Sequence, residues 1–326
     1  FYDLSEEVVC RCGGKVAMKK IPDQWFINYA DPDLTSDSKR HAGTMSIFPW
    51  EYFNNLPGVL EWFQERACAR MGNWLGTPLP FDKRWTIEAI SDSTLYPAYY
   101  VVSKYVNSGE IKPEQMDEAF FDSVFLGKDS GKVPEIAKRI RADFEYWYPL
   151  DVNLGGKEHM TVHFPVFLMN HVAVLPERFW PKGILVNWYI VMKGGKVSKS
   201  KGGAEPIPDA VSRFSVDGMR FYYSHIANPF VDVEWDEVAV AGYRQRLERI
   251  FGQFEEMRSG GSGSQTEMDG WLDARISSYA SRYAKAMDAF DLRDAANAAF
   301  FELPNDLRWC RRRGGASRAA ASDALS

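Results

Sequence analysis

The run Lys196-Val197-Ser198-Lys199-Ser200-Lys201-Gly202-Gly203 interleaves lysines with small and hydroxylated residues. Lysines placed like Lys196 and Lys199 can flank a chain of phosphates, while serine and glycine let backbone N–H groups approach phosphate oxygens. The same composition describes a solvated basic loop, and spacing alone leaves both readings open. A second candidate is Gly155-Gly156-Lys157-Glu158-His159 with His163 beyond it. His159 and His163 share a helix face, so with Glu158 they could ligate a metal or form a packed polar cluster. Paired glycines ahead of them favour a different use, because they allow close backbone approach to a nucleotide whose ribose hydroxyls a nearby carboxylate can accept. The segment Asp92-Ser93-Thr94-Leu95-Tyr96 carries the ordinary signal of an N-capped helix.

Positioning these groups requires alternating strands and helices. Phe53, Leu56, Leu60 and Phe63 recur at helical spacing and predict a helix from Trp50 to Ala69. Thr86 to Ile90 reads as a strand, Leu95 to Tyr105 as a buried helix, and 112–143 as a helical excursion rich in surface charge. Tyr146 to Asn153 is a second strand, Val162 to Val174 a helix packed on a sheet, and Gly183 to Met192 a third strand. That strand delivers the lysine loop at its carboxyl end, where open α/β sheets place ligands. The fold class expected is α/β, a doubly wound parallel Rossmann-like sheet followed by an α-helical bundle. One bundle stripe is Tyr243, Leu247, Ile250, Phe254 and Met257, and another is Leu272, Ile276, Tyr279, Tyr283, Met287 and Phe290, with a flexible Ser259–Ser264 linker between them. Ala295 to Trp309 reads as a further helix that Pro304 breaks or kinks. Val8 to Met18 alternates like a β-ribbon about Gly13-Gly14.

The chain has 326 residues, 45% of them hydrophobic, enough for one large domain or two ordinary ones. A net charge of −5 argues against a wholesale basic coat, so no DNA partner is expected and any RNA contact must use local patches such as Arg308, Arg311, Arg312 and Arg313. No apolar run reaches the roughly 18–20 residues that span a bilayer, and four cysteines without a secreted framework point to reduced thiols, hence to no membrane association and a cytoplasmic location. Cys10-Arg11-Cys12 is tighter than the usual zinc spacing and has no second pair nearby, so zinc is not expected there and no metal site is assigned. His41, His171 and His225 stand alone and read as packed or surface histidines.

Four segments in one order carry a family resemblance. Residues 21–29 (Ile-Pro-Asp-Gln-Trp-Phe-Ile-Asn-Tyr), 91–100 (Ser-Asp-Ser-Thr-Leu-Tyr-Pro-Ala-Tyr-Tyr), 155–163 (Gly-Gly-Lys-Glu-His-Met-Thr-Val-His) and the Lys196–Ser200 signature resemble the leucyl-tRNA synthetase family of archaeal and eukaryotic type, within the class I aminoacyl-tRNA synthetases. The resemblance implies a leucine–tRNA ligase activity: leucine is activated with MgATP to leucyl-adenylate and transferred to tRNA(Leu). It implies Lys196, Ser198 and Lys199 at the departing pyrophosphate, and Gly155, Gly156, Glu158 and His159 around ATP or the adenylate. Asp92, Ser93, Tyr96 and His163 would then line a leucine pocket, and the arginine patch would be a candidate tRNA contact. It further implies residues 1–22 as the end of an editing insert, 23–203 as the second half of the catalytic domain, 204–240 as a linker, 241–313 as the start of an anticodon-binding bundle, and 314–326 as a disordered tail. Two departures stand out. Val197 replaces the signature's methionine, and no His-x-Gly-His occurs. The chain therefore reads as an internal fragment without that half-site or an editing domain, inactive by itself and possessing a complementary N-terminal chain as a conceivable partner. The alternatives are another class I synthetase of the isoleucyl, valyl or methionyl group, or a noncatalytic half of a split synthetase.

Overall fold

The helix His163–Val174 is mostly apolar, and its residues Phe164 to Val172 are all buried, so surrounding elements must cover those nine residues on every side. They do so in a computed structural model that describes residues 7–10, 12–18, 20–72, 74–128, 131, 133–192, 195–196, 207–226, 231–260, 264, 266–317 and 320. The chain divides into two compact units, residues 1–185 and 186–326.

In the first unit the helix Pro32–Ala42 begins at Asp31, whose carboxylate accepts the Leu34 N–H at 2.9 Å, with proline in the first turn where a missing N–H costs nothing. A three-stranded sheet has the order Ser46–Phe48, Gly183–Asn187, Asn153–Gly156. Ser46 to Phe48 run parallel to Gly183 to Leu185 in the register Ser46↔Gly183. A β-carbon at Gly183 would lie 2.8 Å from the Asp151 carbonyl oxygen and 2.9 Å from that of Ser46, so the backbones close here only over glycine. Helices Trp50–Trp62, Ala89–Ser93, Tyr96–Asn107 and Ile136–Trp147 belong to the same unit.

Several local expectations change. The helix expected to reach Ala69 ends at Trp62, because Phe63 is extended and the chain turns into pairing: Arg66–Ala67 with Phe26–Ile27, and Ala69–Met71 with Trp85–Ile87. The strand expected at Tyr146 to Asn153 is helical as far as Trp147, since buried Ala137, Ile140 and Phe144 extend one helical stripe and Pro149 then bars continuation. Gly183 to Met192 forms two strands in separate sheets; Ile190–Met192 pairs in parallel with Val233–Glu234 and antiparallel with Gly195–Lys196. The helix cap expected at Asp92-Ser93 falls earlier, where the Glu88 carboxylate accepts the Ile90 N–H at 2.8 Å.

In the second unit, helices Ile207–Phe214, Val216–Ile226, Glu237–Gly260 and Glu267–Asp288 pack through Val240, Leu247, Met257 and Leu272. Tyr283 and Met287 of the second stripe lie at the surface. Pro304 causes no break: a π-helical segment, Asn297–Glu302, runs into the helix Leu303–Arg311, and the proline sits in that helix's first turn. Residues 314–317, expected in an unordered tail, pack instead. Ala316 is buried with Leu272 and Leu307, and the Ser317 N–H donates to Asp269 at 2.7 Å. That bond leads the interactions holding the Asp269 carboxyl at about 2. Of the expected linker, Ser259 and Gly260 continue the helix, and 261–263 lie outside the described residues. No helix among the described residues is long and apolar enough to cross a membrane.

Gly183→Ala is expected to destabilise the first unit by about 3 kcal/mol, the upper part of the range for overpacking, because the Ser46 carbonyl cannot retreat without disturbing its strand pairing. A lower urea midpoint at unchanged slope is the measurement. His171 supplies a pH-dependent test. It is fully buried, its Nδ1 lies 2.7 Å from the Phe167 carbonyl and its Nε2 3.3 Å from the Tyr148 hydroxyl. A carbonyl only accepts, so Nδ1 carries the hydrogen and Nε2 receives the tyrosine's. Burial pushes the imidazole from its ordinary 6.5 to about 4. The unfolded chain therefore binds the proton first as pH falls. The stability His171 contributes is complete above about pH 6.5 and is lost on the way down to about pH 4, amounting to about 3 kcal/mol. His171→Gln, which cannot titrate, should flatten that part of the unfolding free energy measured from pH 7.5 to 4.

Candidate functional site

The strand Asn153–Gly156 passes through one 3-10 turn, Lys157–His159, into the helix that starts at His163. Gly155 in particular makes this tight course possible. A β-carbon on Gly155 would come within 3.1 Å of the Phe164 ring, and one on Gly156 would run into the Glu158 carboxylate, which folds back over that residue. Glu158 Oε1 lies 3.6 Å from His159 Nδ1, and the His159 and His163 rings meet edge to face at 4.9 Å and 81°. Desolvation first, and then neighbouring His159, pushes the His163 pKa down, which leaves that imidazole neutral at physiological pH. His159 Nδ1 is buried and has no hydrogen-bond partner among the described residues. The turn thus gathers an exposed carboxylate, two imidazoles and glycine backbone at a strand's carboxyl end, a set suited to a polar ligand with an apolar portion. No metal-ligand cluster of three or more His, Cys, Asp or Glu occurs among the described residues.

The turn is held from below by Tyr52. Its fully buried hydroxyl donates to the Met160 carbonyl at 3.0 Å, and its ring lies 5.9 Å from that of Phe164. A cavity of about 470 Å³ opens beside it, lined by Tyr52, Asn55, Val59, Trp62, Met160 and Thr161. In the second segment Asp92 is exposed, Ser93 is half-buried, and the partly exposed Tyr96 ring lies 5.0 Å from that of Tyr100. Thr94 between them is buried and accepts a hydrogen bond from Asn170 of the His163 helix. Tyr52 and Asn170 lie outside the motif segments, and Thr94 lies inside one without being a pocket candidate. Only Asn170 left a signal, as an amide inside an apolar helix that must find a partner.

The phosphate-binding candidates fall in the second unit. The Lys196 backbone closes the strand Gly195–Lys196, while Ser198 and Lys199 lie outside the described residues. The arginine patch is unevenly free: Arg308 bonds Asn305, Arg311 pairs with Glu256, Arg313 lies 3.8 Å from the Trp309 ring centroid, and Arg312 is exposed. Arg246, outside the motif segments, has its pKa pushed down by desolvation and then by Arg249 and Arg308, which extends the patch's positive charge to Arg246 and Arg249. Cys10 and Cys12 are exposed thiols on a turn closed by Cys10 N–H to the Gly14 carbonyl at 2.8 Å.

Comparison with known proteins bears on this turn directly, because the model of the tRNA synthetases class I (M) family matches residues 137–246. A leucine–tRNA ligase of Archaeoglobus fulgidus is 41% identical over 332 residues, covering 99% of this chain and 36% of that protein. One of Methanocaldococcus jannaschii is 38% identical over 328 residues, covering 96% of this chain and 34% of its own length. The chain belongs to the leucyl-tRNA synthetase family. It spans about a third of the length of these synthetase relatives. Among solved structures, methionyl-tRNA synthetase of Mycobacterium tuberculosis bound by methionyl-adenylate aligns with a TM-score of 0.64 at 16% identity, over 94% of this chain and 57% of that one. The ternary complex of Agrobacterium radiobacter K84 agnB2 LeuRS with tRNA and LeuAMS aligns with a TM-score of 0.55 at 18% identity, over 79% of this chain and 30% of that one. At such identities the likeness speaks for the fold alone: the chain has the mixed α/β and helical architecture of these solved class I structures.

Tyr52→Phe should cost about 1–3 kcal/mol of stability, because the Met160 carbonyl loses its donor inside the packed unit. Hydrogen exchange at residues 157–163 should quicken along with it; unchanged exchange there would mean that Tyr52 does not hold the turn.

Proposed function

We propose that the chain serves leucine–tRNA ligation. In this reading the leucine carboxylate attacks the α-phosphate of ATP, pyrophosphate leaves, and leucyl-adenylate forms; a ribose hydroxyl of the tRNA's terminal adenosine then attacks the leucyl carbonyl and AMP departs. The observation that carries the proposal is the Gly155–His163 turn, where Glu158 and two imidazoles meet beside glycine backbone, in a chain 41% identical to an archaeal leucine–tRNA ligase. Gly155, Gly156, Glu158 and His159 would receive the adenosine portion, with the carboxylate accepting ribose hydroxyls. Asp92, Ser93, Tyr96 and His163 would line the leucine pocket, with the neutral His163 imidazole towards the aliphatic side chain, which a charged imidazole would disfavour. Lys196 and Lys199, oriented with Ser198, would offset charge growing on pyrophosphate, and Mg²⁺ would arrive with ATP as part of the substrate. Residues 23–203 would act as catalytic segment, 204–240 as linker and 241–313 as tRNA-side helices, with Arg308, Arg311, Arg312 and Arg313 as tRNA contacts.

The test uses a completed ligase, in which this chain carries the flanking segments of the Archaeoglobus fulgidus relative. It should support leucine-dependent ATP–pyrophosphate exchange. Lys199→Ala should lower the rate of adenylate formation by about 10²–10³-fold with little change in the leucine KM, since the charge acts chiefly as pyrophosphate leaves. Lys201→Ala should do far less; equal rates for the two variants would reduce the loop to a solvated basic segment. Glu158→Ala should raise the ATP KM and His163→Ala the leucine KM. Equal effects on both constants would remove the assignment of the turn.

A further inference from the structure

A buried chain of hydrogen bonds ties the two candidate pocket walls together. The Tyr29 hydroxyl donates to Asn170 Oδ1 at 2.9 Å, Asn170 Nδ2 donates to Thr94 Oγ1 at 2.8 Å, and the Thr94 hydroxyl donates to the Ile90 carbonyl at 3.4 Å. Tyr29 is 2% exposed, Asn170 7% and Thr94 1%. Packing alone does not call for this arrangement, because a leucine at 170 would suit an apolar helix without needing partners. What the amide adds is direction. Apolar side chains in contact can slide past one another by fractions of an ångström at small cost, whereas a bond of 2.8 Å between two buried groups fixes where their backbones stand.

The places joined are specific. Asn170 lies seven residues beyond His163, two turns along the same stripe of one helix. Thr94 stands between Ser93 and Tyr96, at the junction of the helices Ala89–Ser93 and Tyr96–Asn107. The Asn170–Thr94 bond therefore sets the separation of the His163 helix from the Ser93–Tyr96 segment, and Tyr29 holds the amide from its other side. We propose, on the reading that Ser93, Tyr96 and His163 border a leucine side chain, that Asn170 is a positioning residue which sets the width of that pocket and with it the preference for leucine over isoleucine and valine. An apolar pocket distinguishes aliphatic side chains through shape alone, so a small change of width acts on discrimination before it acts on catalysis.

The test is steady-state exchange by the completed ligase with leucine, isoleucine and valine. Thr94→Val keeps the side chain's shape and removes the acceptor; Thr94→Ser keeps the acceptor; Asn170→Ala removes the amide. Thr94→Val and Asn170→Ala should each raise the leucine KM about tenfold and lower the leucine-to-isoleucine ratio of kcat/KM by a similar factor, leaving the ATP KM unchanged, while Thr94→Ser stays near the parent. Should Asn170→Ala fail to fold, Thr94→Val and Tyr29→Phe, checked by thermal melting, carry the decision. Variants that melt earlier yet keep the parent's leucine-to-isoleucine ratio would overturn the proposal and leave the network a stability device. A parent ligase with no leucine-dependent exchange would overturn the functional reading instead, and this inference with it.

Discussion

The helix His163–Val174 imposes the constraint on which the first unit depends. Buried from Phe164 to Val172, it nevertheless carries Asn170 and His171, and in a low-dielectric interior each polar atom without a partner costs more than a typical hydrogen bond returns. The partners arrive from three separate parts of the chain: Tyr29 ahead of the helix Pro32–Ala42, Thr94 at a helix junction, and Tyr148 at the end of the helix Ile136–Trp147. Meeting these demands docks those elements in particular registers. The Gly155–His163 turn, built onto the amino end of the same helix, inherits that rigidity.

Chemistry at the turn follows from the same economy of space. Glycines let the strand end directly against the first helical turn, so the Glu158 carboxylate can lie over backbone and the imidazoles can meet edge to face. Below it, Tyr52 satisfies Met160 and places an aromatic ring under Phe164. Each contact is modest alone. Together they hold the backbone that carries Glu158 and His163 within one short segment.

The second unit solves a different problem, how to carry a proline and two acidic residues through a helical layer. The π-helical segment Asn297–Glu302 resets the phase so that Pro304 falls in a first turn, while Arg282 reaches both Asp294 and Glu302, the latter at 2.9 Å. These ion pairs are about half exposed, so their net stabilisation is small and their main effect is orientation.

The sequence by itself determined the family and most of the apolar faces. Gly155-Gly156, Glu158, His159 and His163 are tied to one another by local geometry over nine residues; the helix at 163–174 declares itself by its continuous apolar run, and those at 237–260 and 267–288 by periodic apolar residues. Tertiary structure decided what local preference could not. Trp62 ends its helix because the following residues find strand partners elsewhere; Trp147 stays helical because Phe144 extends a buried stripe; residues 314–317 fold down because Asp269 offers an acceptor. The Tyr29–Asn170–Thr94 chain belongs to the second kind. Its members stand 141 and 76 residues apart along the chain, and only the folded arrangement, by closing off water, obliges them to satisfy one another.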